Sequence, residues 1–431
     1  MNRFDSDAER SYDDLRARQW LAGESKSDGF SRRDLFRLAA TMGAVVTGVG
    51  SGASPARAAG PYAGLTSSVG PILKPLPPEV FVSFGSNAEM RWESMAGQGY
   101  LVPPDRFFVR NHTATPLLDA DTWRLSLFGT GLRGSPGRDD AIQLSYRQLR
   151  RLPAHTQTSL VECAGNGRSF FTSQQGQSVS GTAWRLGAVG VARWRGVRLS
   201  TVLRHAGLTP DAVDVLPQGL DADFVTGGVN LGPVRRPLPI GKALDDVLLA
   251  YEMNGAPLPP DHGFPVRLVV PGWIGISSIK WLGSIEVSAA PLFSPWNTQF
   301  YRLFGPSYPG DGELVGRQVV KSAFELAFNA TIPAGTRTIL RGRSWSGGAP
   351  IRAVEVSTDG GLTWRRARLH RADRGRAWQR WQAPWRPMTP GPATLRARAV
   401  DATGAGQPDE ARYNTLGYLF DGVVEHPVAV V

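Results

Sequence analysis

Short runs of alternating apolar and polar residues fill the chain between residues 105 and 287, with only a few stretches of helical spacing among them. Alternation predicts strands at residues 107–110, 123–128, 158–163, 265–270 and 279–287. Apolar residues three or four positions apart predict helices at residues 145–150, 199–206 and 244–252. Strands and helices mixed in this order predict an α+β domain built on a mixed sheet.

The pattern changes after residue 319, where alternating strands and turns continue to the end with no convincing helix. Apolar and polar residues alternate over 351–356, and the turn Asp359-Gly360-Gly361 follows. Residues 362–369 are then predicted to pair with the first strand as a hairpin. Short strands at this spacing predict an immunoglobulin-like β-sandwich. We therefore predict a mixed-sheet domain over residues 59–295 and an immunoglobulin-like domain over residues 296–431.

The first 58 residues have the features of an export signal. Ser31-Arg32-Arg33-Asp34-Leu35-Phe36 precedes an apolar stretch at 38–52, and Ala56-Arg57-Ala58 follows as a cleavage site. The apolar stretch is short for a membrane span, although a buried helix or an N-terminal anchor is an alternative. We predict export by the twin-arginine route to the periplasm, or otherwise outside the cytoplasmic membrane.

Composition narrows the possible chemistry. The 431 residues carry a net charge of +11, but the basic residues are scattered and form no dense run, so we predict no nucleic-acid partner. The single cysteine excludes an intrachain disulfide, an iron–sulfur cluster and a covalently attached c-type haem. No P-loop and no dinucleotide-binding motif occurs.

That cysteine, Cys163, ends an apolar strand and is followed by Ala-Gly-Asn-Gly and then, five residues on, by Arg168. A thiolate is a soft ligand for a transition metal, and small residues leave room for a bulky cofactor. A buried, inert cysteine before a turn is the alternative interpretation.

Two further segments carry groups that suit an anion. Residues 106–112 place arginine, asparagine and histidine at a strand edge. His262, Arg267 and Lys280 surround one apolar strand, as a phosphate site requires, although a core strand with solvated charges at its ends fits the same pattern.

Taken together, these segments resemble the sulfite oxidase family of molybdopterin oxidoreductases. The family's F-F-V-R-N-H stands at residues 107–112, and its C-A-G-N followed by arginine stands at Cys163 to Arg168. Three further segments match the family: G-x-x-W-x-x-G-A at 181–188, L-L-A-Y-E-M-N-G at 248–255 and D-H-G-F-P-V-R at 261–267. Residues 344–348 and 357–364 resemble the family's dimerisation domain.

The resemblance implies a set of site residues and a Mo-molybdopterin cofactor. Cys163 is expected to supply the protein ligand to molybdenum. The residues expected to line the substrate pocket are Arg110, Arg168, Trp184 and Tyr301. Those expected to hold the cofactor are Phe108, Val109, Arg110, Asn111, His112, Cys163, Asp221, His262, Arg267, Ser278, Ile279 and Lys280.

The implied activity is oxidation of sulfite to sulfate by oxo transfer. Animal members carry a haem b domain that no part of this sequence resembles, so electrons are expected to pass to a separate acceptor such as a c-type cytochrome. A homodimer through the second domain is also expected. The alternatives are the same cofactor acting on carrier-bound sulfane sulfur or a sulfoxide, and an exported binding protein that contains no molybdenum.

Overall fold

The computed structural model describes residues 11–12, 14–16, 18–19, 70–370 and 377–431. The predicted twin-arginine motif at residues 31–36 and the predicted cleavage site at 56–58 lie outside the described residues. In the part of the chain that is described, no helix combines the length and the apolar character that crossing a membrane requires.

The first part of the described chain is mostly strand, with short helices between the strands. Its strands are β1 (Phe81–Phe84), β2 (Asn87–Met90), β3 (Val109–Arg110), β4 (Arg124–Phe128), β5 (Ile142–Ser145), β6 (Ala154–Glu162), β7 (Val189–Arg198), β8 (Asp214–Gly219), β9 (Val225–Thr226), β10 (Val229–Asn230), β11 (Leu238–Pro239), β12 (Leu248–Met253), β13 (Ala256–Pro257), β14 (Arg267–Val269) and β15 (Leu282–Ser288). The α-helices are Tyr146–Arg151, Arg168–Ser173, Leu199–His205, Ile240–Asp245 and Pro295–Thr298, and the 3₁₀ helices are Trp92–Met95, Pro260–His262 and Gly275–Ser277.

Two sheets enclose the core of this part. One has the order β11-β8-β15-β4-β5 and is mixed, because β15 and β4 run parallel while its other pairs are antiparallel. The other has the order β13-β12-β7-β6, with β14 paired to β12. Leu125 and Ile285 from the first sheet pack with Val197, Leu249 and Leu268 from the second in one buried cluster. The predicted α+β domain with a mixed sheet is confirmed.

The second part contains two packed sheets and, before them, a separate two-stranded sheet. Its strands are β16 (Arg302–Leu303), β17 (Glu313–Leu314), β18 (Lys321–Phe324), β19 (Ala330–Ile332), β20 (Thr338–Trp345), β21 (Ile351–Ser357), β22 (Arg365–Arg366), β23 (Arg368–Leu369), β24 (Gln379–Trp385), β25 (Gly391–Asp401) and β26 (His426–Val430). The sheets β18-β20-β24-β23 and β19-β26-β25-β21-β22 enclose a core that includes Leu340, Val354, Trp381 and Leu395. The prediction of a β-sandwich following the first domain is confirmed.

The two parts share buried contacts. Trp92 packs against Trp345 and Trp378, with ring centroids 5.6 and 5.9 Å away. All three belong to a core cluster that also contains Cys163. The predicted boundary between residues 295 and 296 falls inside the helix Pro295–Thr298 and stays a prediction.

One local prediction is wrong, and a second is confirmed only in part. The helix predicted over residues 244–252 is instead the end of the helix Ile240–Asp245 followed by strand β12. Both faces of β12 are buried, Leu248 in one core cluster and Leu249 in another, and a continuous apolar run does not distinguish a helix from such a strand. The segment 362–369, predicted as the second strand of a hairpin, forms two short strands in different sheets. Strand β22 pairs with β21, as the hairpin requires, but β23 pairs with β24.

Candidate active site

A cavity that is partly open to solvent lies where the segment around β3, the end of β6 and the start of β14 meet. Of the residues predicted for the site, those that line the cavity are Phe108, Arg110, Asn111, His112, Cys163, Asp221, His262, Arg267, Ser278, Ile279, Lys280 and Tyr301. The fold therefore brings residues that are up to about half the chain apart in sequence together around one cavity.

Backbone hydrogen bonds fix Cys163 at the rim of this cavity. Strand β6 pairs with β7 along its whole length and ends at Glu162, so the next residue leaves the sheet. The Cys163 N–H donates to the Ala188 carbonyl at 2.9 Å, and the Asn166 N–H donates to the Cys163 carbonyl at 2.9 Å. The Asn166 side-chain oxygen accepts the Ala188 N–H at 3.0 Å. The thiol is held in a tight turn, with 8% of the residue exposed.

Buried cations form the opposite wall. The Arg267 guanidinium donates to the carbonyls of His262 and Ser278, both at 3.1 Å. The Lys280 ammonium donates to the Asp261 carbonyl at 2.8 Å and to the Asn111 side-chain oxygen. Among the described residues, neither Arg267 nor Lys280 forms a salt bridge with a carboxylate, although Asp221 and Asp261 line the same cavity.

Burial lowers the pKa of each basic group there. The pKa of Lys280 falls well below its ordinary value, mainly through burial and then through the neighbouring Arg267. Burial likewise lowers the pKa of Arg267 and of His262. The charges of Asp261 and Asp221 offset this effect on Lys280 only in part, and a bound anion lowers the cost of burying such cations further. The chemistry of this wall fits a phosphate group.

His112 is held as a neutral hydrogen-bond acceptor. The Trp296 indole N–H donates to His112 Nε2 at 3.0 Å, and Arg110 Nη2 lies 3.2 Å from the same nitrogen. Both neighbours are donors, so Nε2 carries no proton and the proton is on Nδ1. Burial, then the charges of Arg110 and Lys280, lower the pKa of His112 well below its ordinary value. Arg110 thus stays aligned along the cavity wall.

Two aspartates have different surroundings. Asp261 accepts the backbone N–H groups of Leu73 and Lys74 at 3.0 and 2.8 Å and the Thr115 hydroxyl at 2.6 Å, so it anchors the cavity wall. Burial raises the pKa of Asp221 to about 6, although the Val234 N–H donates to this carboxylate at 3.2 Å. Asp221 thus holds its proton more tightly than an exposed aspartate.

The structure places three predicted residues outside the cavity wall. Arg168 is buried and donates to the carbonyls of Leu416 and Thr182 at 2.8 and 2.9 Å. Trp184 and Val109 are 1% exposed in the hydrophobic core. The Trp184 ring packs edge-on against Phe84, with centroids 5.4 Å apart. Backbone carbonyls hold Arg168 and core contacts hold Trp184, so the expectation that they line the substrate pocket stays a prediction.

Tyr418 packs directly behind the cavity, stacked on the lining residue Tyr301, and was missed in the sequence. It comes from the second part of the chain, and the Arg168 guanidinium lies 5.1 Å from its ring centroid. The neighbouring Leu419 N–H donates to the Ala164 carbonyl at 2.8 Å, directly after the cysteine. No motif marked this segment, because its residues carry no charge and its place depends on long-range packing.

The donor set around Cys163 indicates how a metal is bound. Across the described ranges, no group of three or more histidine, cysteine, aspartate or glutamate side chains is positioned to hold a metal ion. A metal on the Cys163 sulfur therefore needs its remaining ligands from a cofactor that brings its own donors. A cavity with one thiol at its rim and a phosphate-compatible cationic wall suits such a group.

Comparison with known proteins agrees with this donor set. Residues 112–296 match the family described as the oxidoreductase molybdopterin binding domain, and residues 322–424 match the Mo-co oxidoreductase dimerisation domain. Mitochondrial sulfite oxidase of Homo sapiens is 40% identical over 346 residues, which are 75% of this chain and 60% of that protein. Sulfite oxidase of Gallus gallus is 39% identical over 358 residues, covering 77% of this chain and 74% of that protein.

A solved structure has the same overall fold. The sulfane dehydrogenase SoxCD from Paracoccus pantotrophus superposes with a TM-score of 0.68 at 25% identity, covering 85% of this chain and 94% of that one. The match to the mammalian relatives spans about 60% of their length.

Proposed function

The chain belongs to the sulfite oxidase family of molybdopterin oxidoreductases, and from this premise we propose that it oxidises sulfite to sulfate and passes the electrons to a separate acceptor such as a c-type cytochrome. One observation carries the proposal: the Cys163 thiol, the Arg110 guanidinium and a wall of buried cations face a single cavity. Sulfite is a compact anion, and these groups are complementary to it and to an anionic cofactor.

The residues that would hold the cofactor follow from the chemistry of the wall. Cys163 would provide the thiolate to molybdenum, which prefers sulfur donors. Arg267, Lys280 and His262 would bind the cofactor's phosphate by charge-assisted hydrogen bonds. Asp221 would hydrogen-bond the pterin edge. When bound, the molybdenum cofactor supplies the two-electron oxidation and the transferred oxygen atom.

The protein groups have separate tasks in the reaction. Arg110 would bind the sulfite oxygens, held in place by neutral His112 and by the Asn87 side-chain oxygen, 3.4 Å from its Nη1. Burial raises the pKa of Tyr301, so its phenol stays protonated and donates a hydrogen bond to the anion. Each turnover consumes one water and releases two protons and two electrons, which must leave the cavity before sulfite binds again.

A direct assay tests the proposal. Full-length protein from a host that makes the molybdenum cofactor is analysed for molybdenum and pterin per chain, and sulfite-dependent reduction of ferricyanide and of cytochrome c is measured. We expect stoichiometric molybdenum, turnover with sulfite, and loss of both in Cys163→Ser with the circular dichroism spectrum retained. If a sulfane-sulfur carrier or a sulfoxide supports turnover and sulfite does not, the proposed substrate is wrong. A folded protein with no molybdenum would instead indicate a binding protein.

The place of action is a second part of the proposal. We propose twin-arginine export to the periplasm, which is supported by Arg32 and Arg33, the apolar stretch at 38–52 and the Ala-Arg-Ala at 56–58. Cell fractionation of the wild type and of Arg32→Lys/Arg33→Lys tests it. Retention of the double variant in the cytoplasm is expected, and equal export of both proteins contradicts the proposal.

The assembly is a third part. The match of residues 322–424 to a dimerisation domain supports a homodimer through the second part of the chain. Light scattering after size-exclusion chromatography should give twice the chain mass. A mass equal to one chain across micromolar concentrations argues against the dimer.

A further inference from the structure

A buried ion pair joins the cysteine turn to the second part of the chain. Glu162, the residue before Cys163, forms a salt bridge of 2.8 Å with Lys321 at the start of strand β18. The other Glu162 carboxylate oxygen accepts the Trp345 indole N–H at 3.0 Å. Glu162 and Lys321 are 2% and 4% exposed, so solvent screens this pair little.

The same lysine reaches the other end of the turn. Its ammonium donates to the Asn166 carbonyl at 2.6 Å, while the Asn166 side-chain N–H donates to the Glu162 carboxylate at 2.9 Å. Glu162 and Asn166 flank Cys163 and the two small residues after it, so one cation ties both sides of the loop that carries the thiol. None of these contacts involves the cavity wall itself.

Packing leaves this loop little freedom to adjust. Gly275 begins the 3₁₀ helix of the cavity wall, and a methyl group there would lie 2.8 Å from the Glu162 carbonyl oxygen. On the opposite side, Cys163 and Asn166 bond to Ala188. The second part of the chain provides the remaining support, through Lys321 and Trp345.

We propose that Lys321 is a positioning residue for the Cys163 sulfur, so that the second part of the chain sets the geometry of the metal ligand in addition to any role in assembly. The inference rests on the proposed function, because it takes Cys163 to be the molybdenum ligand. Without the lysine, Glu162 is left buried without its cation and must protonate, move or admit water. The bond from the lysine to the Asn166 carbonyl is lost in every case, which frees the turn to shift, and misplacing a reacting group by about 1 Å can cost about a hundredfold in rate.

Two matched variants separate positioning from general stability. Lys321→Met removes the cation from this pair. Arg343→Met removes the cation of a second buried pair, with Glu325. Arg343 also contacts the first part of the chain through the Gly99 carbonyl at 3.1 Å, but it makes none of the described contacts to the cysteine turn. Both variants are made in the full-length, cofactor-loaded enzyme, and melting temperature, molybdenum content, Mo(V) electron paramagnetic resonance and the Mo–S shell in X-ray absorption are compared.

We expect both variants to melt at lower temperature, but only Lys321→Met to change the resonance spectrum and the Mo–S shell. Its kcat for sulfite should fall roughly ten- to hundredfold, with KM within about threefold of the wild type. Unchanged spectra and kcat in Lys321→Met overturn the inference, as does an equal spectral change in Arg343→Met.

A further variant covers the case in which Lys321→Met does not fold. Glu162→Gln/Lys321→Met leaves no unpaired buried charge, so it should fold while still lacking the cation that ties the turn. It should show the altered spectrum, and a wild-type spectrum in it overturns the inference. Failure of the proposed function is distinguishable, because then the wild-type protein itself shows no molybdenum–thiolate signature.

Discussion

The rings of Tyr301 and Tyr418 stack with centroids 5.1 Å apart and planes 16° apart. Tyr301 lines the cavity, and the Tyr418 ring also contacts the Arg168 guanidinium. Burial raises the pKa of both phenols, so both are protonated at neutral pH. A side chain from the second part of the chain thus connects the predicted pocket tyrosine with an arginine that does not itself reach the cavity wall.

This stack predicts different effects for two substitutions at residue 418. Tyr418→Ala removes a stacking contact and a cation–π contact, each worth about 1 kcal/mol, so kcat/KM for sulfite should fall roughly tenfold or more. Tyr418→Phe keeps both ring contacts and should stay within about threefold of the wild type. Steady-state kinetics with ferricyanide as acceptor measure both. Equal losses in the two variants would mean that the hydroxyl, rather than the ring, supports the site.

The buried cations of the cavity wall predict that one substitution raises stability and lowers cofactor binding. Lys280→Met removes a buried charge, so the cofactor-free protein should melt at a higher temperature, while pterin content after expression should fall roughly tenfold. Lys242→Met is the matched control, because Lys242 is also buried and bonds to Asp246 and the Pro271 carbonyl outside the cavity. The control should keep its pterin. Equal loss of pterin in both variants would contradict the proposal that this wall binds the phosphate of the cofactor.

Glu89 predicts a pH-dependent stability. It is 2% exposed and accepts the Arg185 and Gly187 N–H groups at 2.8 and 3.3 Å, and burial raises its pKa to about 7. Because the folded protein holds this proton more tightly than the unfolded chain, stability is full below about pH 4.5 and falls as pH rises to about 7. The loss from this group is on the order of 3 kcal/mol.

Glu89→Gln tests that contribution. Glutamine keeps an acceptor for the two N–H groups and has no proton to lose. Denaturant unfolding at pH 5 and pH 8 should show a smaller drop in the free energy of unfolding for the variant than for the wild type. A drop of the same size in both proteins means that other groups cause the pH dependence.

The sequence predicted the parts of the site that carry a distinctive side chain. Thiol, guanidinium, ammonium and imidazole groups at strand ends are informative in a sequence. They identified Cys163, Arg110, His262, Arg267 and Lys280, and the structure brings all five to one cavity. Their roles as cofactor and substrate ligands remain predictions. The sandwich was predictable for a similar reason, because two-residue alternation indicates strands directly.

The parts that escaped prediction depend on contacts between distant segments. Tyr418 and Lys321 lie far along the chain from Cys163, and nothing local marks them as its neighbours. Strand β12 was mistaken for a helix because its two faces are buried in two different core clusters, which the local pattern cannot indicate. Trp184 was assigned to the pocket by resemblance, whereas the structure packs it in the core.

The N-terminal segment makes a buried contact that predicts a difference between the full-length and shortened chains. Asp214 is fully buried, accepts the Tyr12 hydroxyl at 2.8 Å and forms a salt bridge of 3.2 Å with Arg16. A chain that starts at residue 59 lacks Tyr12 and Arg16. Among the described partners of the Asp214 carboxylate, only the Leu292 N–H at 2.8 Å then remains. Burial already raises the pKa of Asp214, and loss of the Arg16 charge raises that pKa further.

Chain 59–431 should therefore be less stable than chain 1–431 by about 1–3 kcal/mol at pH 7, measured by urea unfolding. The deficit should shrink as pH falls toward the ordinary pKa of an aspartate, because the protonated carboxyl needs no cation. Asp214→Asn in the short chain should recover part of the loss, whereas the same change in the full chain should not stabilise it. If the two chains have equal stability at every pH, the contact of residues 12 and 16 contributes nothing to folding and Asp214 is satisfied by water.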